Sequence, residues 1–508
     1  MRSTQMRLAI AVTLLALPMC LAAQSNSPAN PLHHTYRLID IGTFGGAQSF
    51  VNEQFNGSPS LNNHGDLVGA AETLIPLNQY SNGFPCFPGP NVNHAFRYHA
   101  GEVADLGALS PASTNCSNGQ STNEIGDVAG VSENGVVDPV LGINAMHGFI
   151  FRDGELVDLG TLGGNISYGG SINTRGQVVG FTTNAIPDPY SFYYALVQGS
   201  PNGTQTRGYV WQNGGMQDLG TLGGPDGNAF FVNEGGQISG AAYTNSTPNQ
   251  TTGVPTVDPF LWQNGRMLDL GTLGGAFGTP DAMNNRGQVV GPSNLAGDQT
   301  FHPFLWDGHE LLDLGTLGGD NGEALAISDA GEVVGKADLP DQTHDAFLWS
   351  GGVMTDLGSF PGYPCTRANH INGQRQIVGN TSDCEHALRA VLWEHGQPGV
   401  DLNELIPPDS PLLLTDAVEI NDRGEIAGAG VPAGCQPQDA DTCGHAYLLI
   451  PNGDCDSNCE QRIADSERAA LSAPANIKRT VPQTPAERAR GTMRQRYHLP
   501  GQPAAPRG

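Results

Sequence analysis

The sequence predicts an all-β protein, an eight-bladed β-propeller made of four-stranded blades. Three observations lead to this prediction: a phrase that recurs eight times, short runs rich in β-branched and aromatic residues, and array ends that complement each other. Gly (69) and Pro (36) are frequent among the 508 residues, a density that the interiors of helical bundles and coiled coils do not tolerate. Charged residues make up only 14%, which argues against a charge-rich disordered chain.

Residues 1–23 have the pattern of a secretory signal peptide. Arg2 and Arg7 lie before an apolar run from Leu8 to Met19. Ala22 and Ala23 then supply a small-residue cleavage site. The run is too short to span a bilayer, and no later stretch is long enough. A buried N-terminal helix is the alternative. We expect a short linker at 24–34 and an extracellular protein, with the periplasm as the alternative compartment.

Residues 35–450 consist of one repeat that occurs eight times. Its clearest phrase is DLGTLGG, and the last three intervals between its leading Asp residues are 44, 43 and 45 residues. A second phrase, as in INTRGQVVG at 172–180, contains an Asn-x-x-Gly turn. In a third phrase, as in HPFLW at 302–306, all five Trp occupy one column, which chance would not produce. The leading Asp residues are Asp40, Asp105, Asp158, Asp218, Asp269, Asp313, Asp356 and Asp401. The Trp residues are Trp211, Trp262, Trp306, Trp349 and Trp393.

Each repeat contains four short runs that are typical of strands, and four strands in about 44 residues make one propeller blade. The chain begins with a run, YRLIDIG at 36–42, that matches only the fourth strand of the repeat. It ends with HAYLL at 445–449, which matches only the third. We therefore expect the first strand to complete the last blade and close the ring, which removes the sheet edges. A seven-bladed propeller and an open β-solenoid are the alternatives.

The repeated polar columns favour structural roles. An Asp at a fixed strand end in every repeat is expected to accept backbone N–H bonds at the crossover to the next blade. One column holds His in four repeats but Arg or Asp in the others, so it predicts a polar edge position and no metal site. The Trp column predicts packing between blades. The members of the mixed column are His94, His147, Arg207, Asp258, His302, Asp345, Arg389 and His445.

With HPFLW, DLGTLGG and INTRGQVVG in view, the chain resembles the HAF-repeat family of extracellular repeat proteins over about residues 36–450. The resemblance implies a secreted bacterial repeat protein, and it supplies no catalytic residues. Three copies depart from the pattern: Arg375 replaces the turn Gly, DLNEL at 401–405 lacks the double Gly, and HAYLL lacks Trp.

Eight Cys remain after the predicted signal peptide, an even number that suggests disulfides in an exported chain. Local pairing is the simplest of the 105 possible arrangements. The absence of any CxxC pair argues against thiolate zinc sites. The expected bonds are Cys86–Cys116, Cys365–Cys384, Cys435–Cys443 and Cys455–Cys459.

The loops between the second and third strands vary greatly in length, and variable loops on a rigid scaffold are where recognition usually occurs. One of them contains Tyr190, Phe192, Tyr193 and Tyr194. We hypothesise that these four residues form an aromatic patch for a glycan or a peptide. The alternative is that they cover the small core of their own loop.

The tail at 451–508 has a different composition. It has nine basic and six acidic residues, whereas residues 24–450 have 12 basic and 44 acidic ones, a net charge of −32. With few apolar residues and several Pro, the tail is predicted to be largely disordered. Asp454, Asp456, Asn458 and Asp465 loosely resemble a calcium loop, but Cys459 stands where the turn Gly belongs, so we expect no cofactor.

These features predict a secreted binding module for an extracellular glycan or protein, which uses the variable-loop face. So acidic a surface repels nucleic acid, and no transmembrane segment is expected. The competing class is an extracellular carbohydrate-active enzyme, a lyase or hydrolase with two carboxylates at the central mouth. A purely structural surface protein is the third possibility.

Overall fold

The structure, a computed structural model, describes residues 33–51, 58–83, 85–86, 89–109, 114–200, 202–394 and 396–452. The predicted signal peptide, the C-terminal tail from residue 453 onward and all but two residues of the predicted linker lie outside this part of the chain. Short runs rich in Val, Ile, Phe and Trp form strands here, as their β-branched and aromatic side chains favour.

The strands group into eight units that match the eight sequence repeats. In units 1 to 6 the chain passes from an inner strand that is at least half buried to a more exposed outer strand. In unit 7 the outer strand is partly buried. We call these strands inner, second, third and outer. Units 1 to 4 contain β2 (Gly45–Phe50), β3 (Leu67–Pro76), β4 (Asn91–His99) and β5 (Glu102–Gly107); β6 (Ser117–Thr122), β7 (Val128–Val137), β8 (Asn144–Arg152) and β9 (Glu155–Asp158); β10 (Ser167–Ile172), β11 (Val178–Asp188), β12 (Gly203–Gln212) and β13 (Gly215–Asp218); and β14 (Gly227–Val232), β15 (Ile238–Tyr243), β16 (Val257–Gln263) and β17 (Arg266–Asp269).

Units 5 to 8 continue the pattern with small variations. Unit 5 has a divided inner strand, β18 and β19, and a parallel bridge between Val257 and Phe277 joins units 4 and 5 into one nine-stranded sheet. The strands are β18 (Gly274–Gly278), β19 (Ala282–Met283), β20 (Val289–Leu295), β21 (Phe301–Trp306) and β22 (Leu311–Asp313); β23 (Gly322–Ile327), β24 (Val333–Asp338), β25 (His344–Ser350) and β26 (Val353–Asp356); β27 (Cys365–Ile371), β28 (Ile377–Ser382), β29 (Ala387–Trp393) and β30 (Val400–Asp401); and β31 (Leu412–Ile420), β32 (Ile426–Pro432) and β33 (His445–Pro451).

Helices contribute little to the described residues. The loop between β11 and β12 contains a π-helix, Phe192–Val197. Two 3₁₀ helices, Leu402–Glu404 and Pro437–Asp439, and one short α-helix, Ala440–Cys443, lie in unit 7 and unit 8. Within the described ranges, no helix has the length and the apolar character needed to cross a bilayer.

The first strand of the protein completes unit 8. β1 (Tyr36–Asp40) pairs antiparallel with β33, with Leu38 opposite Leu449 and Asp40 opposite Tyr447. This pairing confirms the predicted closure and leaves unit 8 with four strands in the order β31, β32, β33, β1. The protein is therefore an all-β propeller, and the open solenoid does not apply because the two ends of the array are joined.

A belt of Asn side chains connects the inner turns of successive units. Each Asn at the start of an Asn-x-x-Gly turn donates its side-chain N–H to the carbonyl oxygen of the matching residue in the next unit. One of these bonds, from Asn421 to Asn62 at 2.9 Å, crosses from unit 8 to unit 1. The belt has no amide donor in unit 6, where Ser328 takes the place of the Asn. The other donor–acceptor pairs are Asn62–Asn123, Asn123–Asn173, Asn173–Asn233, Asn233–Asn284, Asn284–Ser328 and Asn372–Asn421, at 2.9–3.2 Å.

Glu419 reinforces the junction between unit 8 and unit 1. Its Oε2 accepts hydrogen bonds from the backbone N–H and the hydroxyl of Ser60, at 2.9 and 2.5 Å, and from the N–H of Leu61 at 3.2 Å. Burial raises the pKa of this carboxyl to about 7, against the opposing effect of the Ser60 and Leu61 hydrogen bonds. A buried carboxylate that is fully hydrogen-bonded holds the two ends of the ring together.

The predicted Trp column lies within apolar clusters of the interior. Trp393 is buried with Ile371 and Ile377 of its own unit and Val334 of the preceding one. Trp211 likewise joins Ile150 of unit 2. In units 3 and 7 the Trp of the third strand is therefore buried against the neighbouring unit, as the sequence predicts. Trp262, Trp306 and Trp349 are partly buried beside other apolar clusters.

Candidate functional site

The conserved phrase DLG forms the same local structure throughout the ring. Its Asp accepts a hydrogen bond from the N–H of the residue two positions later, as in Asp158 with Gly160 at 2.8 Å. Gly160 has a φ of 74°, a conformation that costs a Gly little. This confirms the predicted role of the Asp column. The equivalent bonds join Asp40–Gly42, Asp105–Gly107, Asp218–Gly220, Asp269–Gly271, Asp313–Gly315, Asp356–Gly358 and Asp401–Asn403.

The mixed His, Arg and Asp column faces this Asp column across the third and outer strands. In six units a His or Arg pairs with the Asp at 2.8–3.5 Å, because either side chain presents a ring or guanidinium nitrogen to the carboxylate. In the other two units the partner is a second carboxyl group, Asp258 with Asp269 and Asp345 with Asp356. The His–Asp and Arg–Asp pairs are His94–Asp105, His147–Asp158, Arg207–Asp218, His302–Asp313, Arg389–Asp401 and His445–Asp40.

The two carboxyl pairs titrate unusually. Burial, and then the charge and hydrogen bond of Asp269, raise the pKa of Asp258 to about 7. Burial, and then Asp356, raise the pKa of Asp345 to about 6. Each pair therefore holds a proton under mildly acidic conditions, where a single proton can bridge two carboxylates. In each unit the paired side chains of the two columns bind each other and stabilise the outer strand. Few of their polar atoms are left to bind a ligand.

The predicted aromatic patch is buried. Phe192, Tyr193 and Tyr194 lie in the π-helix with 1% of their surface exposed each, and Tyr190 is partly buried beside the same cluster. The Phe192 and Tyr243 rings meet edge to face, with centroids 4.2 Å apart. These rings therefore do not form an exposed patch: the loop folds back and removes their apolar area from water, as in the alternative interpretation.

Buried acids anchor this loop to the scaffold. Asp226, from the crossover into unit 4, accepts hydrogen bonds from the N–H groups of Phe192 and Thr206, at 2.6 and 3.0 Å. Burial, followed by the nearby Asp188, raises the pKa of Asp226 well above its usual range. The Asp226 carboxyl group is therefore part of the loop's own core.

The loops between the second and third strands of units 1 to 4 interlock. We call these four segments, residues 74–91, 134–143, 184–202 and 244–256, the insert cap. The N–H of Asn144 donates to the carbonyl of Tyr80 at 2.6 Å, which joins the first two inserts. The Tyr194 hydroxyl donates to Asp138 at 2.8 Å, which joins the next two.

The third and fourth inserts of the cap are joined in the same way, and a covalent bond ties the first insert to unit 2. The Tyr243 hydroxyl, at the edge of the fourth insert, donates to the carbonyl of Tyr190 at 2.7 Å. Cys86 in the first insert forms a disulfide with Cys116, which precedes the inner strand of unit 2. The cap is thus a continuous surface over one half of the ring.

Apolar side chains protrude from the cap. Leu74 is 74% exposed, Val136 59%, Ile186 55% and Tyr80 43%. Val136 and Ile186 occupy equivalent places, because Asn134 and Asn184 each accept a hydrogen bond, at 2.9 Å, from the N–H two residues later. The related phrases NGVVDP and NAIPDP at 134–139 and 184–189 are the sequence signal that could have identified these positions.

The cap is also uncharged at its surface. Its four segments contain no Lys or Arg, and their only acidic residues are Asp138 and Asp188, both of which are buried. The remainder of residues 24–450 contains 42 Asp and Glu residues, so the cap is an uncharged region with several exposed apolar side chains on a strongly acidic protein. Exposed apolar patches on stable folds mark interaction sites.

Three of the four predicted disulfides are present: Cys86–Cys116, Cys365–Cys384 and Cys435–Cys443. Cys455, Cys459 and the loosely calcium-like residues Asp454, Asp456, Asn458 and Asp465 lie outside the described residues. Three disulfides are typical of proteins from oxidising compartments.

Comparisons with known proteins bear on the fold alone. No protein-family profile and no curated protein matches the chain, so the resemblance to the HAF-repeat family remains a prediction. Among solved structures, the β-propeller domain of the Trilobed protease from Pyrococcus furiosus has a TM-score of 0.38 at 8% identity, over 66% of this chain and 93% of that one. The Aleuria aurantia lectin has a TM-score of 0.25 at 9% identity, over 55% and 91%. The α-L-arabinofuranosidase of Fusarium graminearum has a TM-score of 0.28 at 9% identity, over 79% and 98%. At these scores the similarities carry no functional argument.

Proposed function

We propose that this protein is a secreted binding module that holds an extracellular protein partner against the insert cap. The observation that carries the proposal is the uncharged, apolar surface of the cap on a body with a net charge of −32. The centres of protein interfaces are depleted in charge and rich in apolar area. A partner whose contact face is apolar and uncharged at the centre is complementary to this surface.

The exposed side chains favour a protein over a glycan. Leu74, Val136 and Ile186 are aliphatic, whereas the aromatic rings that could stack against sugar rings are largely buried in the cap. Tyr80 is the exposed aromatic side chain of the cap's described residues. Glycan binding is therefore the second outcome that the experiment distinguishes.

The enzyme alternative places two carboxylates at the central mouth. Two inner-strand acids of unit 8 are already engaged in structural bonds. Glu419 holds Ser60 and Leu61 of unit 1, and Asp416 accepts from the side chains of Asn369 and Asn380, both at 2.8 Å. These contacts support binding over catalysis as the proposed role.

The test compares two triple variants of the mature protein. Leu74→Ser, Val136→Ser and Ile186→Ser alter the cap; Val103→Ser, Leu268→Ser and Val353→Ser alter exposed apolar side chains of the outer strands and serve as the matched control. Photo-crosslinkers beside Val136 and Ile186 first identify the partner on the source cells, and its purified ectodomain is then titrated by interferometry. We expect the cap variant to weaken binding at least tenfold and the control to bind normally.

A glycan array run in parallel separates the remaining classes. Retention of a glycan that both triple variants keep would replace the protein partner with a glycan bound elsewhere. Cleavage of an array glycan would favour the enzyme. Equal binding of the purified partner by both variants would remove the cap from the site.

A further inference from the structure

A histidine lies against one of the three disulfides. One ring nitrogen of His344 and the Sγ atoms of Cys365 and Cys384 all lie within 4.8 Å of one another. His344 begins β25 of unit 6, Cys365 begins β27 of unit 7, and Cys384 lies in the short loop between β28 and β29. Cys365 is buried, whereas His344 and Cys384 are partly exposed. The group is therefore accessible to solvent from the side of His344 and Cys384.

The His344 ring is not committed to another contact. The backbone N–H of His344 approaches the Cys365 Sγ at 3.4 Å, but its ring makes no hydrogen bond within the described residues. The histidines of the outer-strand pairs differ, since His147 and His302 each bond to an Asp at 2.8–2.9 Å. A ring nitrogen of His344 is therefore available as a ligand.

We propose that reduction of the Cys365–Cys384 disulfide creates a Zn²⁺ site with His344 as its third ligand. An external dithiol supplies two electrons and two protons: the Cys S–S bond breaks, two Cys thiols form, and the dithiol becomes a disulfide. On binding Zn²⁺ the two thiols release their protons to water, and the imidazole donates a nitrogen lone pair. Two thiolates, one imidazole and a water are a ligand set that Zn²⁺ accepts.

A second disulfide in the same protein provides the contrast. Cys86 and Cys116 lie equally close to Glu133, but that carboxylate already accepts from the N–H groups of Asn82 and Cys116, at 2.6 and 2.9 Å, and from Asn144. Both cysteines are buried. Of these two groups, the one at the boundary of units 6 and 7 therefore has the available ligand atom and the readier access for a reductant.

The test uses the mature full chain with Co²⁺ as a spectroscopic probe for Zn²⁺. The protein is reduced with dithiothreitol and desalted anaerobically. Alkylation and mass spectrometry identify the free thiols, and circular dichroism monitors the fold. We expect thiolate-to-cobalt charge-transfer bands at one Co²⁺ per reduced chain, none with the oxidised chain, and displacement of Co²⁺ by Zn²⁺.

Variants connect the bands to the proposed ligands. His344→Ala should weaken Co²⁺ binding at least tenfold with both thiols still free, whereas Glu133→Gln, the matched change at the other disulfide, should leave it unchanged. Unaltered affinity in His344→Ala would overturn the proposal. So would the absence of bands once Cys365 and Cys384 are shown to be free, or loss of the fold on their reduction. The site is independent of the insert cap, so binding of a protein partner is expected to survive in His344→Ala.

Discussion

The insert-bearing half of the ring, units 1 to 4, differs from the plain half, units 5 to 7, in one stretch of each repeat. The second strands of units 1 to 3 have 10, 10 and 11 residues, but those of units 6 and 7 have 6 each. The second strand of unit 4 also has 6 residues, so three longer strands and one longer loop carry the cap. The short loops of units 6 and 7 contain charged residues, of which Asp341 and Glu385 are exposed and Asp383 is partly exposed.

The scaffold itself is shared by both halves. The Asn belt runs through Asn123 and Asn173 in one half and Asn284 and Asn372 in the other. The Asp of the DLG phrase binds its backbone N–H in every unit. The same repeated contacts therefore stabilise the fold in both halves. The halves differ in loops that the scaffold does not need, and a binding function can be added in such loops.

The strongest test of the cap as an independent core is Phe192→Ala. The ring is buried against Tyr243, so its removal should lower the free energy of unfolding by about 3–5 kcal/mol, the usual cost of a buried Phe. Urea denaturation followed by intrinsic fluorescence measures this change. If stability is unaffected and ligand binding falls instead, Phe192 is a surface residue and the aromatic-patch hypothesis returns.

The disulfide that joins units 1 and 2 and the disulfide in unit 8, which belongs to neither half, should contribute unequally to stability. Cys86–Cys116 spans 30 residues and Cys435–Cys443 spans 8, and a longer closed loop restricts the unfolded chain more. The chain-entropy relation gives about 3.6 kcal/mol for the first and about 2.5 kcal/mol for the second. Paired Cys→Ser variants, compared by the free energy of unfolding from urea denaturation with m fitted for each variant, check the order. A larger loss at Cys435–Cys443 would contradict the entropic account.

Each half also contains one unit in which two carboxyl groups replace the His–Asp or Arg–Asp pair. The pH dependence of stability should distinguish these two carboxyl pairs. Because the folded pKa of Asp258 is raised to about 7 and that of Asp345 to about 6, each contribution is complete below about pH 4 and is lost as the pH rises through the folded value. The loss for Asp258 in unit 4 should therefore extend to higher pH than the loss for Asp345 in unit 6.

Asp258→Asn and Asp345→Asn remove these contributions one at a time. Both sites are partly solvated, so we expect changes of only about 1 kcal/mol in the pH dependence of unfolding. Denaturation at pH 4 to 8 should show a flatter profile for Asp258→Asn up to pH 7 and for Asp345→Asn up to pH 6. Arg207→Gln, which breaks an Arg–Asp pair whose guanidinium does not titrate in this range, is the control. Its profile should keep the wild-type loss between pH 4 and 7, and identical windows for the two Asp variants would refute the assignment.

The sequence predicted the scaffold better than the cap for a physical reason. When the eight copies are aligned, Trp211 and Trp393 fall in one column. The same alignment shows that the run beginning at Tyr36 is an outer strand without the other three strands of its repeat, which a single repeat could not show. An 11-residue interval separates His147 from Asp158 and recurs in most repeats, but the interval alone does not show that the two side chains meet. The hairpin register places Phe149 opposite Asp158, and only the folded structure shows the contact of 2.9 Å between His147 and Asp158. The cap has no copies to align: burial of Phe192 depends on Tyr243, about fifty residues away.

The exposed residues of the cap should have the smallest effect on stability. Leu74→Ser, Val136→Ser and Ile186→Ser remove side chains that lie largely in water, so each should change the free energy of unfolding by less than about 0.5 kcal/mol. Urea denaturation of the single variants measures this directly. A change as small as this, compared with the large loss of stability in Phe192→Ala, would show that the buried rings stabilise the cap. The exposed aliphatic residues would then be available to contact a partner. A loss above about 2 kcal/mol at any of the three positions would instead place that side chain in the core and remove it from the proposed interface.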